Sequence, residues 1–340
     1  MLFCFEKLKS LSSEFSRVFD YSEKDGETRF RYLVGTCLDN TSISEYCERH
    51  KAVSADTILK LGNMPVAEMV EKCNRLIRVA TKIGLQSGMF KGCDASIDFH
   101  DVKCNGKRTE HSLKTMVDGK IQRCFRFAVS AITGRKRFLI TGIQLYREND
   151  SNMVMVDRLL DTVPDEYKLI LMDRFFCGVD VFNRVEERGK HYLTPYKINN
   201  TTDELYLESL LDGEKVKPYQ MRKGSLGYKT VNMYLEPHPD DEYHAYTSDL
   251  KDIIIDEHYP FRWNIENQFR TKQMVKPVTS TTHESFRVLL ITIALILACL
   301  WKILVLAREH ITVKTYKREL LAALQTTLLF DDAIRKATKD

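Results

Sequence analysis

The chain has no Cys-x-x-Cys pair and no recurrent cysteine spacing, although nine cysteines are scattered through its 340 residues. That lack argues against a disulfide framework, and the odd set from Cys4 to Cys299 reads as reduced thiols of an intracellular protein. No low-complexity tract, collagen-like period or internal repeat is present, which excludes fibrous and solenoid architectures. Charge of one sign is not in excess either. With 51 Lys+Arg against 47 Asp+Glu the net charge is only +4, so any nucleic-acid surface has to be local. The opening residues MLFCFEKLKSLSSEF lack the apolar run and small-residue cleavage site of an export leader. No export is expected, and the sequon Asn40-Thr41-Ser42 then reads as a chance match.

What is present is the composition of a globular protein, 44% hydrophobic and 29% charged. At a typical ~100–200 residues per domain, the length suggests two units or one large elaborated one. The segment from Phe286 to Ala307 is apolar over nearly the ~20 residues that a bilayer span requires. Its uninterrupted apolar core, Val288 to Trp301, is only 14 residues, and Lys302 would sit inside the membrane if the span ran on. A buried core helix is the expected reading. A single-pass membrane anchor is the alternative.

Residues 1–90 read as a helical unit. Thr41 or Ser42 caps a helix carrying Glu45, Ser54 opens a short one, and Val66 to Leu85 has an apolar stripe at spacings of three and four. A helix, a short turn and a helix are compatible with DNA contact through that region and equally with ordinary packing. From Cys93 the pattern becomes extended. CFRFAVSAIT and FLITGIQLY alternate on either side of Gly134-Arg135-Lys136-Arg137, a hairpin with a basic tip that either grips phosphates or is simply solvated. A helix near Asn152–Leu160, a strand ending at Asp173, a helix near Val179–Glu187 and a strand at His191–Lys197 follow. Antiparallel strands followed by strand–helix alternation predict an α/β sheet flanked by helices. Residues 200–245 read as a β-rich insertion, and Thr312 to Asp340 as a charged amphipathic tail.

The stretch DEHYPFRWNIENQFRTKQ starts a helix near Pro260. At about 100° per residue, Tyr259, Arg262, Glu266, Arg270 and Gln273 fall on one face. Trp263 is expected in the core beside Ile265 and Phe269, with base stacking as the other possibility. Alone, an Arg–Glu pair at i,i+4 is an ordinary solvated helix face. Asp98 in a short strand and Asp173 at the end of an apolar one supply two more acids on separate elements. Gathered carboxylates repel one another unless a divalent ion removes the cost, and Mg²⁺ is the oxygen-seeking choice. Asp94 and Asp101 flank Asp98 as alternatives, and Cys93, His100 and Cys104 are weaker zinc candidates for want of a second cluster at recognised spacing.

With Tyr259, Arg262 and Glu266 in Y-x2-R-x3-E order, this stretch resembles the signature of insertion-sequence DDE transposases that carry a β-rich insertion before the catalytic Glu. SIDFHDV around Asp98 is similar to that family's first-acid segment, LILMDRFF around Asp173 to its second, and RVLLITIALILACLW to its buried helix after the Glu. The separations are 75 positions from Asp98 to Asp173 and 93 from Asp173 to Glu266, room for a hairpin and for the insertion respectively. The resemblance implies an RNase H-like mixed sheet in a catalytic domain over residues 91–310, with an N-terminal helical region over 1–90 and a helical tail over 311–340. It implies a cytoplasmic, nucleoid-associated enzyme that cleaves DNA at terminal inverted repeats and joins the ends to target DNA as a homodimer, with no membrane association. By the same resemblance Asp98, Asp173 and Glu266 hold two Mg²⁺ or Mn²⁺ ions, and Tyr259, Arg262, Arg270 and Lys272 bind DNA. One position departs from the pattern. Seven residues after the Glu the family has Lys, and here stands Gln273, with Lys272 one step earlier. A transposase-derived DNA-binding protein without catalysis is therefore the competing expectation.

Overall fold

The computed structural model describes residues 2–51, 53–104, 108–117, 119–222, 227–239, 242–279, 281, 283–307 and 311–337. Turn residues expected at 223–226 and 240–241 lie outside the described set. Five helices come first: α1 (Leu2–Val18), α2 (Glu23–Asp39), α3 (Ile43–His50), α4 (Ala55–Leu59) and α5 (Val66–Gln86). Their starts follow from capping chemistry. The Ser42 hydroxyl accepts the Glu45 amide at 3.2 Å and the Ser54 hydroxyl that of Thr57 at 3.3 Å, each satisfying an otherwise orphaned donor.

Four strands follow, β1 (Asp94–Lys103), β2 (Ser112–Val117), β3 (Lys120–Gly134) and β4 (Arg137–Leu145). Then come α6 (Asn152–Leu160), β5 (Leu169–Met172), α7 (Val179–Glu187) and β6 (His191–Pro195). The β3–β4 hairpin turns at the basic tip that its alternation predicted. The region from 200 differs from its expected all-extended character: it opens with the helix α8 (Asn200–Asp212) before β7 (Val216–Arg222), β8 (Tyr228–Pro237) and β9 (Tyr243–Ser248). The Asn199 capping box starts α8 and Gly213, in a left-handed conformation, ends it. Leu207, Leu210 and Leu211 remain exposed on it, which blurs the apolar stripe that would have marked a helix.

The strands join in the order β2-β3-β1-β5-β6-β9-β8-β7, with β4 also on β3. β1, β5 and β6 are parallel neighbours, while β3 and β9 bracket them antiparallel, so the sheet is mixed. The insertion strands β7 to β9 extend this same sheet through the β6–β9 ladder.

Helix α5 closes the free edge of β4. The Asn74 side chain donates to the Ile143 carbonyl at 3.0 Å and accepts its amide at 2.8 Å, and the Thr81 hydroxyl donates to the Ile140 carbonyl at 2.8 Å. Unpaired edge groups are thereby satisfied, which blunts edge-to-edge association. One face of α5 is thus committed to packing on β4. Gly84 permits the close approach, since a Cβ there would lie 2.5 Å from a Leu139 methyl.

The chain ends with α9 (Ile255–His258), a 3₁₀ turn over Tyr259–Arg262, α10 (Trp263–Gln273), α11 (Glu284–Ala307) and α12 (Val313–Ala337). The long apolar segment is α11, and 83% of its most apolar stretch is buried inside the protein against α5, β4, α2 and α10. Leu8, Leu33, Leu76, Ile140, Leu295 and Tyr316 belong to one continuous apolar cluster around it. Tyr316, Leu320 and Leu324 are buried too, so the first turns of α12 pack onto α2.

Candidate active site

Parallel pairing of β1 with β5 runs Ala95 to Ile170, Ser96 to Leu171 and Ile97 to Met172. One step further along that register Asp98 stands beside Asp173. Two carboxylates thus meet on neighbouring strands, whose backbones lie about 5 Å apart. Even-numbered residues of β1 face the α9–α10 segment, as side chains alternating along a strand require. His258 Nδ1 meets Asp94 Oδ2 at 2.8 Å, Arg262 Nη1 donates to Asp98 Oδ2 at 2.5 Å, and Lys272 Nζ meets His100 Nε2. Asp101 points to the opposite face, where Arg126 binds it through two bonds of 2.8 and 2.7 Å. Of the three acids on β1, Asp98 is therefore the one that shares a site with Arg262.

Arg262 is 4% exposed and bridges two acids, with Nη2 donating to Glu266 Oε1 at 3.0 Å. Its Nε donates to the Tyr259 hydroxyl at 3.1 Å, and that hydroxyl donates in turn to the Met172 carbonyl at 3.4 Å, next to Asp173. Thr194 steadies the same corner by donating to the Asp173 carbonyl at 3.0 Å. Burial pushes the Asp98 carboxyl up to about 7; Arg262 opposes that rise, while Asp173 and Glu266 add to it. Burial works against the charge of Arg262, yet Tyr259, Asp98, Asp173 and Glu266 together hold its pKa above the ordinary range. Among the described residues, no group of three or more His, Cys, Asp or Glu side chains is gathered closely enough to hold a metal ion. The acids are joined by a guanidinium instead.

Three residues sit differently from the sequence expectation. Tyr259, expected on the polar face, is 8% exposed and turned inward. Its 3₁₀ turn advances about 120° per residue, which stacks Tyr259 under Arg262 and shifts the wheel drawn at 100°. That same shift turns Trp263 outward, 52% exposed, where core was expected, and the Arg262 guanidinium lies 5.4 Å from its ring centre. Lys272 is fully buried, so its ammonium faces the interior, while Arg270 and Gln273 are exposed. An open groove lies beside Asp173, lined in part by Arg174, Lys197, Tyr246, Arg262 and Trp263. Phe175, also exposed, stands two residues after Asp173; nothing in its local pattern separates it from buried Phe176.

The Lys272–His100 pair makes a pH prediction. Burial, then the neighbouring Lys276, lowers Lys272 to about 7; burial, then Lys272 and Lys276, holds His100 well below its ordinary value. Between about 7 and 10.5 the unfolded chain binds a proton that the folded chain does not, so stability rises with pH through that window; His100 adds the same sign below 6.5. Urea unfolding from pH 6 to 9 is expected to show a gain on the order of a few kcal/mol, which Lys272→Met removes. An unchanged slope in that variant would assign the effect elsewhere.

The geometry has counterparts among known proteins. Residues 90–301 match the sequence profile of the family described as Transposase DDE domain. No curated protein sequence matches the chain. Among solved structures, a piggyBac transposase synaptic complex with hairpin DNA is similar in fold, with a TM-score of 0.57 at 13% identity, covering 90% of this chain and 73% of that one. The mixed sheet, the flanking helices and the helical N-terminal region correspond to a transposase of RNase H-like fold. With the profile spanning well over half its length, the chain belongs to the DDE transposase domain family.

Proposed function

We propose that this protein cleaves DNA at the ends of an insertion sequence and joins the released 3′-hydroxyl to target DNA, with Asp98, Asp173 and Glu266 as its catalytic acids. The observation that carries this reading is the strand register that sets Asp98 beside Asp173, with Glu266 reaching the same point through Arg262. By chemistry the donors suit a divalent ion, since all three acids offer hard oxygens, although with Arg262 joining them they are not gathered closely enough to hold one. Burial first, then repulsion from Asp173 and Glu266 that a cation would relieve, raises the Asp98 pKa. Asp98, Asp173 and Glu266 would hold two Mg²⁺ or Mn²⁺ ions, which would supply charge neutralisation and activation of the attacking oxygen. The protein's own part is to orient phosphate. Arg262 and exposed Arg270 offer planar forks that suit phosphate oxygens, and Arg174 and Lys197 line the approach. Tyr259 acts through Arg262 as a positioning residue. Residues 91–310 form the catalytic domain in this reading, 1–90 contribute to DNA recognition, and two copies pair the ends in the cytoplasm.

Cleavage in Mg²⁺ of a fragment carrying the ends of the encoding element tests the proposal. Nicks at the ends that leave 3′-hydroxyls are expected. A second reading, DNA binding without catalysis, is favoured by Gln273 at the Lys position and by the inward-facing Lys272; binding with no cleavage in Mg²⁺ or Mn²⁺ would select it. Trp263, exposed at the groove, is expected to stack on a base. Trp263→Ala should change stability by only about 0.5 kcal/mol yet weaken binding of a single-stranded oligonucleotide by about 1–3 kcal/mol, read by fluorescence anisotropy. Unaltered binding would remove Trp263 from the interface.

A further inference from the structure

Arg262 occupies the position where a cation is needed. Its two terminal nitrogens take one oxygen each from Asp98 and Glu266, its third nitrogen is tied to Tyr259, and Tyr259 is anchored on the Met172 carbonyl beside Asp173. All of this is deeply buried except Glu266, whose side chain is 30% exposed. Asp98 Oδ2 and Glu266 Oε1 each accept from Arg262 and Asp98 Oδ1 accepts the Phe99 amide at 2.8 Å, so a metal ion has to compete with these donors for the carboxylate lone pairs. We propose that Arg262 is a latch on the carboxylate site, pinned by Tyr259, which keeps metal out until a DNA phosphate entering the groove draws the guanidinium away.

The pieces needed for release are on hand. Arg262 lines the groove that opens beside Asp173, so its fork has a solvent-side exit toward an incoming anion. Phosphate matches the two-pronged geometry that Asp98 and Glu266 now satisfy. Metal and DNA then favour the same opened state, and each must strengthen the other's binding by an equal factor. Such coupling keeps a hydrolytic site unassembled on protein that has not engaged DNA. The inference rests on the three acids being the metal ligands.

Mn²⁺ binding to the full chain without DNA, followed by loss of the free-ion electron paramagnetic resonance signal, tests it. Arg262→Gln is expected to bind Mn²⁺ at least about tenfold tighter than wild type, and adding Asp98→Asn to that variant should abolish the gain. Tyr259→Phe keeps the arginine charge and loosens only its tether, so a smaller gain there cannot come from removing a positive charge. That variant also carries the comparison if Arg262→Gln fails to fold. Duplex DNA should tighten Mn²⁺ binding by wild type and leave Arg262→Gln unmoved. Equal affinity in wild type and both variants, lost on Asp98→Asn, would overturn the latch while leaving the metal site intact. No Mn²⁺ binding by any of them would overturn the latch together with the assignment of the ligands.

Discussion

Glu266→Gln is expected to lower DNA cleavage by about 10³-fold or more, equivalent to about 4 kcal/mol of transition-state stabilisation, while DNA binding persists. The substitution keeps the shape of the side chain and removes the charge that the metal reading requires. Asp98→Asn is expected to match it, because the strand register sets Asp98 beside Asp173 and both acids belong to the one proposed site. The variants should not be additive: residues that work as a unit lose most of the rate at the first substitution. Binding is predicted to hold or tighten slightly, since one negative charge leaves a surface that meets phosphate. Single-turnover cleavage of labelled ends, paired with a filter-binding isotherm, separates the two quantities. A variant that cuts at a rate within tenfold of wild type would remove Glu266 from the site.

The second large effect is structural. Leu295→Ala in the middle of α11 is expected to cost about 3 kcal/mol, and Leu295→Lys considerably more, with loss of soluble protein. Leu295 is 0% exposed, and its neighbours Ile293, Ala294 and Leu297 are no more than 1% exposed. A helix apolar on every side has two stable environments, a protein core or a bilayer. Here the covering is supplied by the chain's own elements, with the Cys299 thiol accepting the Ile140 amide at 3.2 Å. Urea unfolding read by circular dichroism gives the free energy directly. A midpoint unchanged by Leu295→Ala would contradict a helix packed on all sides by protein.

Much of this arrangement is legible in the sequence because it rests on periodicity and capping. The stripe of Val66 to Leu85, the caps at Ser42 and Ser54, the hairpin around Gly134–Arg137 and the helices near 152 and 179 all follow from local chemistry. Asp173 is legible as a polar residue closing an apolar strand, and Arg262 with Glu266 as an i,i+4 pair. What escapes local reading is set by partners distant along the chain. The outward turn of Trp263 depends on a 3₁₀ turn that wheel arithmetic at a fixed angle cannot represent. The inward turn of Lys272 depends on His100, 172 positions away, and on the stacking of that ring on Phe269 at 4.2 Å. The bridge from Arg262 to Asp98 spans 164 positions and exists only once β1 lies under α10. Helix α8 is a third kind of case: its exposed leucines give no clean stripe, and only its capping box and terminal Gly213 mark it.

The most direct test of the central claim is the anomalous scattering of Mn²⁺ in crystals of the protein bound to DNA ends. The account predicts peaks among the carboxylates of Asp98, Asp173 and Glu266, with Arg262 withdrawn onto a phosphate. Ions bound elsewhere, with the Arg262 bridge from Asp98 to Glu266 still in place on DNA, would contradict it.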